Sequence, residues 1–252
     1  MTMRVVITGA SSGIGLALAR LIPQRNPGAR MVLVGRDAAR LEAAAAEAPG
    51  SVPVVADLSD PAAAQTIIDA AVAEMGGVDG VVSNAGAIYP GALADMAFED
   101  FERGFTVNVH ATFRLAQAAY PHLKASRGAI IATGSLAGRN ASPTLGSYSA
   151  SKAALAMLMA QLALEWGPDG IRSNCVSPGT VMTGLNDHIY ADPANRDARA
   201  SRIPLGRLGT PGDIAEVIHF LLRPEAGFVT GVDLMVDGGA DRMLMPLYLA
   251  PA

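Results

Sequence analysis

Short apolar runs alternate along this chain with longer stretches whose apolar residues recur every three to four positions. The first kind reads as buried strand and the second as amphipathic helix. Met3 to Thr8 is an apolar run that stops at Gly9; Ile14 to Arg25 follows with helical spacing and ends at Pro27-Gly28. Met31 to Val34 is a second strand, Ala38 to Ala48 an alanine-rich helix closed by Pro49-Gly50, and Val52 to Ala56 a third strand. Asp60 is placed as an N-cap, with Pro61 opening a helix that reaches Met75, ahead of a fourth strand from Val78 to Ser83. Phe98 to Leu123 reads as one long helix with a break near Gly104, and Gly128 to Thr133 as a fifth strand. Ser147 to Trp166 is a second long helix, and Ile171 to Ser177 a sixth strand. Val181 to Arg207 has no strong period; Pro211-Gly212-Asp213 opens a last helix to Leu222, and Val232 to Val236 is the last strand. With no internal repeat and no linker, the expectation is a single α/β domain over 1–252. Its sheet is doubly wound, of about seven mostly parallel strands with helices on both faces.

Composition narrows the function more than the fold. A chain of 252 residues, half of them apolar and with positive mean hydropathy, buries a core without a disulfide or metal staple and is not a disordered chain. The net charge of −4 leaves no basic excess to neutralise phosphates, so nucleic acid is excluded as the main partner. Cys175, the one cysteine, cannot make an internal disulfide, which fits a reducing compartment. The four histidines and Cys175 lie far apart, without metal-ligand spacing, so no metal is expected. No signal-peptide pattern opens the chain, and no apolar run approaches the roughly 20 residues that span a bilayer. The expectation is a cytoplasmic protein with no membrane partner. Of the 19 basic residues only Lys124 and Lys152 are lysine. Lys124, near the end of its helix, reads as a solvated charge.

The turn Thr8-Gly9-Ala10-Ser11-Ser12-Gly13-Ile14-Gly15 joins the first strand to the first helix. Such a turn exposes backbone N–H groups at a positive helix end, which suits a pyrophosphate. Gly9 permits the tight turn, Gly13 close approach of a ligand, and Gly15 close packing of helix on strand. A glycine cluster can also be only a tight turn, but its place after the first strand of a βαβ pattern favours the binding reading. Cofactor choice is read at the end of the second strand, Val34-Gly35-Arg36-Asp37. An acid there would bind the NAD ribose, whereas an arginine accommodates a 2′-phosphate. Glycine holds the acidic position and Arg36 follows, so NADP(H) is favoured and NAD(H) possible. Two alternatives stay open: Asp37 neutralising Arg36 or reaching the ribose, and Arg36 as a plain surface charge.

Tyr148 and Lys152, four residues apart, share one helix face. A free tyrosine has a pKa of about 10, too high for proton exchange near neutrality, and a neighbouring ammonium favours the phenolate. Ser135 lies just past the fifth strand, on the rim where ligands of parallel sheets gather. Alone it would read as a cap or turn residue; with Tyr148 and Lys152 it reads as a donor to a substrate oxygen.

These motifs, in this order, resemble the short-chain dehydrogenase/reductase family over nearly the whole chain. The matching residues are Thr8 to Gly15, Asp57-Leu58, Asn84-Ala85-Gly86, Asn108, Ser135, Tyr148, Lys152, Pro178-Gly179-Thr180-Val181-Met182-Thr183 and Asp237-Gly238-Gly239. The resemblance implies a Rossmann-like fold and an NAD(P)-dependent oxidoreductase that interconverts a ketone and a secondary alcohol. It implies Tyr148 as acid/base, Ser135 polarising the substrate oxygen, Lys152 lowering the tyrosine pKa and binding the nicotinamide ribose, and Asn108 holding a relay water. Gly9, Ser11, Ser12, Gly13, Ile14, Gly15 and Arg36 would bind the cofactor phosphates. Asp57 and Leu58 would lie near the adenine, Asn84, Ala85 and Gly86 near its ribose, and Pro178, Gly179, Val181 and Thr183 around the nicotinamide. By the same resemblance a segment at 183–207 covers the site, and the apolar tail at 240–252 packs on a neighbouring subunit of a homotetramer. Leu145, with Leu136, Ala137 and Asn140, is placed at a partly apolar substrate pocket. His188 reads as a surface-loop residue and Cys175 as a small buried one. The rivals are an NAD-dependent alcohol dehydrogenase and a non-catalytic nucleotide-binding regulator on the same fold; the intact Ser–Tyr–Lys set speaks against the second.

Overall fold

A computed structural model describes residues 2–183 and 191–243. Seven strands form one wholly parallel sheet: β1 (Arg4–Thr8), β2 (Arg30–Gly35), β3 (Ser51–Val55), β4 (Gly80–Ser83), β5 (Ala129–Thr133), β6 (Arg172–Pro178) and β7 (Asp233–Val236). Their order is β3-β2-β1-β4-β5-β6-β7. The winding reverses between β1 and β4, and ligands of such sheets bind outside the carboxyl ends of the strands at that point.

Strand alternation divides the core in two. Val5, Ile7, Met31 and Leu33 face α1 (Gly13–Arg25), α2 (Ala38–Ala46) and, later in the chain, the helix Pro211–Leu222, through Leu18, Ile22, Leu41, Ile214 and Ile218. Val6, Val32, Val81 and Ile130 face the other way, onto Ile67 and Ile68 of α3 (Ala63–Met75), Leu115 and Leu123 of α5 (Ala111–Ser126), and Leu155 and Met159 of α7 (Tyr148–Trp166). Both faces of the sheet are therefore covered, as an all-parallel sheet requires.

Three elements differ from the sequence expectation. The long helix is α4 (Phe98–Phe105) running into α5 through one π-helical turn, Thr106–His110. Gly104 lies inside α4, and a Cβ there would fall on the Ser147 hydroxyl, so this glycine marks a close crossing with the start of α7 and not a break. Helix α3 begins two residues beyond Pro61, because Asp60 first closes its own turn: its carboxylate accepts from Ala62 N at 2.9 Å and its carbonyl from Ala63 N at 3.2 Å. The aperiodic stretch holds a helix, α8 (Pro193–Ala200), capped by Asp192, which accepts from Ala194 N at 2.9 Å. The helix Pro211–Leu222, hereafter α9, opens with a Thr210–Asp213 capping box. No helix among the described residues is long and apolar enough to cross a membrane.

Candidate active site

The turn from β1 into α1 has the conformation its glycines permit. Gly9 has φ 65° and Gly13 φ 54°, and a Cβ on Gly15 would fall on the Gly9 carbonyl oxygen. Ser12 caps α1 without a side-chain hydrogen bond, and the first turn of α1 carries no acid, so its positive end is uncompensated. Ser11 lies beside the end of β2: a Cβ on Gly35 would be 3.5 Å from its hydroxyl. Ile14 packs at the edge of the core.

Arg36, next along, is exposed. Asp37 caps α2, accepting from Arg40 N at 3.1 Å and lying 3.6 Å from Arg40 Nε, so its carboxylate serves Arg40 and not Arg36. The acid under the influence of Arg36 is Asp57. The Ser59 N–H and hydroxyl, at 2.9 and 2.8 Å, hold the Asp57 carboxyl below its ordinary pKa, and Arg36 adds a smaller push the same way. Leu58 packs on the α3–α5–α7 side of the core.

After β4, the Asn84 side chain ties strand ends together. Its Nδ2 donates to the carbonyls of Thr8 (3.1 Å) and Gly9 (3.3 Å), and its Oδ1 accepts from the Thr133 hydroxyl (3.1 Å). Thr8 Oγ1 in turn accepts from the N–H groups of Asn84 and Ala85 at 3.0 and 3.1 Å. The Asn84 side chain and its backbone N–H thus both serve the scaffold. A Cβ on Gly86 would lie 3.3 Å from Asn108 Oδ1 and 3.4 Å from Lys152 Nζ, so Gly86 leaves room where those two groups approach.

The three candidate catalytic residues come together at the end of β5. Ser135 caps the four-residue helix α6 (Leu136–Arg139), its Oγ accepting from Ala137 N at 3.1 Å. The cap reading and the site reading therefore describe one hydroxyl. Gly138 lets α6 lie flush on α7, where a Cβ would be 2.8 Å from the Lys152 carbonyl carbon. Tyr148 opens α7, with Ser135 near enough to act on its hydroxyl. Lys152 Nζ is 5.7 Å from the Tyr148 ring centroid and donates to the Thr133 carbonyl at 2.7 Å. Lys152 is only 4% exposed, and burial lowers its pKa to about 8. Burial raises the Tyr148 pKa, and Ser135 pulls it part of the way back. The expected depression by the neighbouring ammonium is not among the causes of the shift: burial of the phenol sets its direction and Ser135 alone opposes it.

Asn108 sits in the π-helical turn, 1% exposed. Its Oδ1 accepts from Ala87 N at 2.9 Å, and its Nδ2 donates to Ala87 O and Ser151 Oγ, both at 3.0 Å. It joins the loop after β4 to α7 one residue before Lys152. Beyond β6, Gly179 passes close to Asp237, where a Cβ would be 2.7 Å from the Asp237 Cβ. Val181 bridges to Gly209, and Thr183 lies 3.4 Å from where a Cβ on Gly13 would be. Pro178 to Thr183 is thereby brought back to the glycine turn. Half-buried Leu145 bridges to Gly91 and follows Thr144, whose φ of 62° is unusual for a β-branched residue. Leu136 and Ala137 are half-buried nearby, whereas Asn140 is exposed and bonded to Asp241.

Cys175 is fully buried, its thiol pushed up to about 12 chiefly by burial, so it is an inert packing residue. Lys124 is not a free helix-end charge: it pairs with Asp169 at 2.8 Å and lies over the Tyr120 ring. His188 and the tail residues Leu244, Met245, Leu247, Tyr248 and Leu249 fall outside the described residues. Thr133 was not singled out in the sequence, and Thr8 was named only as part of the glycine motif, with no role of its own. The Thr133 contact is a backbone carbonyl, which no residue pattern reveals, whereas Thr8 stands inside the glycine motif itself. Among the described residues no group of three His, Cys, Asp or Glu side chains could hold a metal ion.

A nicotinamide dinucleotide fits what is present. The strand-end crevice carries a left-handed glycine turn at an uncompensated helix end, and beside it a buried ammonium makes one protein hydrogen bond among the described residues. The chain belongs to the short-chain dehydrogenase/reductase family and is an NAD(P)-dependent oxidoreductase that interconverts carbonyl and alcohol. A family model described as Enoyl-(Acyl carrier protein) reductase matches residues 9–241. The chain is 38% identical to L-rhamnose 1-dehydrogenase (NAD(P)(+)) of Sphingomonas sp. (strain SKA58), over 93% of this chain and 94% of that one. It is 36% identical to 2-(S)-hydroxypropyl-CoM dehydrogenase 3 of Xanthobacter autotrophicus (strain ATCC BAA-1158 / Py2), over 93% and 95%. It is 35% identical to L-xylulose reductase of Homo sapiens, over 94% and 95%.

Proposed function

We propose that the chain is an NADP(H)-preferring reductase and dehydrogenase of ketones and secondary alcohols, with Tyr148 as the proton donor and acceptor. In reduction the Tyr148 hydroxyl gives its proton to the substrate oxygen, which Ser135 holds and polarises. In oxidation the same oxygen takes the proton back. When bound, the nicotinamide supplies or accepts the hydride; the protein orients and charges the site. Lys152 keeps two N–H donors for the nicotinamide ribose beyond the one spent on Thr133, and its charge favours the phenolate that Tyr148 becomes. Asn108 holds a water that returns protons from solvent. Gly9 to Gly15 take the pyrophosphate, Asp57 and Leu58 the adenine, Asn84 to Gly86 its ribose, and Pro178 to Thr183 the nicotinamide.

The preference for NADP(H) is supported by Arg36, which Asp37 does not neutralise. The half-buried Leu136 and Leu145 favour a substrate with an apolar flank beside its reacting carbon; L-rhamnose, L-xylulose and 2-(S)-hydroxypropyl-CoM, named for the relatives, bound the panel to try. We place the chain in the cytoplasm as one domain, with a covering segment at 183–207. We further propose a homotetramer. The tail at 240–252 and the outer faces of α5 and α7 form its contacts, since Phe113, Met157 and Leu164 are 42, 70 and 82% exposed.

The observation that carries this reading is the meeting of Ser135, Tyr148 and a buried Lys152 at the end of β5. The test is nicotinamide absorbance with a panel of ketones and secondary alcohols, L-rhamnose and L-xylulose included, and both cofactors. Turnover faster with NADPH than with NADH is expected; a clear NADH preference overturns the role of Arg36. A monomer by light scattering at micromolar concentration overturns the tetramer.

A further inference from the structure

We propose that Asp241 is a positioning residue for the reaction: it holds the helix that begins at Ser135 and ties it to the base of the segment covering the site. This rests on the role of Ser135 given above. Helix α6 is four residues long, too short to keep its shape alone. Gly138 seats one side of it on α7. Its far end is held by Asp241, whose carboxylate accepts from Arg139 Nη1 at 3.1 Å and from Asn140 Nδ2 at 2.8 Å. The Asp241 side chain is only 6% exposed, while its two donors, Arg139 and Asn140, reach it from the solvent side. Arg139 also reaches Asp233 of β7 at 3.7 Å, and Arg242 flanks Asp241 from solvent at the same distance.

Asp241 is itself fixed in place. The Asp237 carboxylate accepts from Gly239 N at 2.9 Å and from Asp241 N at 2.6 Å, closing the turn after β7. That turn is the seat of the returning end of the covering segment. Leu205 N donates to the Gly238 carbonyl at 3.2 Å, and Ala240 packs on the buried pair Ile203 and Leu208. Gly209 then pairs with Thr180 and Met182 beyond β6. The Asp241 carboxylate therefore joins the Ser135 helix to the turn after β7, on which Leu205 and Ile203 also rest. Ser135 must meet both the Tyr148 hydroxyl and a substrate oxygen, and its capping bond alone leaves α6 free to tilt. Asp241 removes that freedom.

The test compares Asp241→Ala in two backgrounds. In the otherwise native enzyme, kcat should fall by about tenfold, since small misplacement of a reacting group is expensive. NADPH affinity by fluorescence titration and the thermal midpoint should stay near their native values. In a Ser135→Ala background, assayed at raised enzyme concentration, Asp241→Ala should cost less than about twofold more, because the residue it acts through is gone. Arg139→Ala with Asn140→Ala removes the same two contacts from exposed side chains and carries the same comparison if Asp241→Ala does not fold. An equal fold-loss in both backgrounds, or a folded Asp241→Ala with native kcat, overturns the proposal. A fully active Ser135→Ala overturns the assignment of Ser135 itself, and this proposal with it.

Discussion

Replacing Lys152 by methionine should make the protein inactive and, near neutrality, more stable. The ammonium is buried, and its pKa falls from 10.5 to about 8. At 1.36 kcal/mol per unit, that is a destabilisation of about 3 kcal/mol wherever the lysine stays charged in the folded chain. Methionine keeps most of the aliphatic length and removes the charge. It also removes the bond to the Thr133 carbonyl, at a cost of about 1–2 kcal/mol. The net gain at pH 7 is on the order of 1 kcal/mol. The pH dependence is the sharper quantity. Between about pH 8 and pH 10.5 the unfolded chain holds the lysine proton and the folded chain has released it, so wild-type stability rises with pH through that window. Methionine has no such titration. Urea unfolding of both proteins at pH 6 to 10 should give a stability difference in favour of the variant that is constant below pH 7, falls by about 1.4 kcal/mol per unit above about pH 8, and reverses in favour of the wild type by about pH 9. A difference that stays flat to pH 10 would refute the view that Lys152 is held charged against its own desolvation.

Tyr148→Phe should lower turnover by about a thousandfold while leaving NADPH affinity, read by fluorescence titration, nearly unchanged; native turnover would remove Tyr148 from the chemistry. Arg36→Ala should raise the KM for NADPH by about tenfold and hardly alter that for NADH, the loss of one charge-assisted contact to a phosphate. An equal effect on both cofactors would show Arg36 to be a surface charge. Gly15→Ala drives a Cβ onto the Gly9 carbonyl oxygen and to 2.8 Å from Asn84 Nδ2, and should cost about 1–3 kcal/mol along with cofactor binding. An unchanged melting temperature and NADPH affinity would show that the turn relaxes freely.

Most strands were legible as short apolar runs between glycines or prolines, β6, with Arg172, Ser173, Asn174 and Ser177, by its place between Gly170 and Pro178; all seven lie within one or two residues of their expected bounds. Ser135, Tyr148 and Lys152 were legible because their spacing places them on one rim of a parallel sheet. What stayed hidden depends on contacts between distant residues. The π-helical turn that carries Asn108 has no mark in a 3.6-residue period, and Gly104 drew attention for a break when it serves a crossing with Ser147. Helix α8 did have a signal, Asp192-Pro193, an N-cap followed by proline, which the weak period of the stretch obscured. The direction of the Tyr148 shift needed the burial of the phenol, which residue spacing does not supply.

The two lysines sit in opposite surroundings, Lys124 with a 53% exposed side chain beside Asp169 and Lys152 buried at 4%. An amine-selective acylating reagent therefore meets one accessible lysine side chain on the folded protein, at the end of α5 and on the far side of the sheet from the cofactor turn's strand ends. That makes Lys124 a ready attachment point for a fluorophore or a surface linker. Slow acylation at Lys152 would then time the opening of the catalytic crevice, because its depressed pKa leaves a larger share of it as free amine near neutrality whenever the reagent can enter.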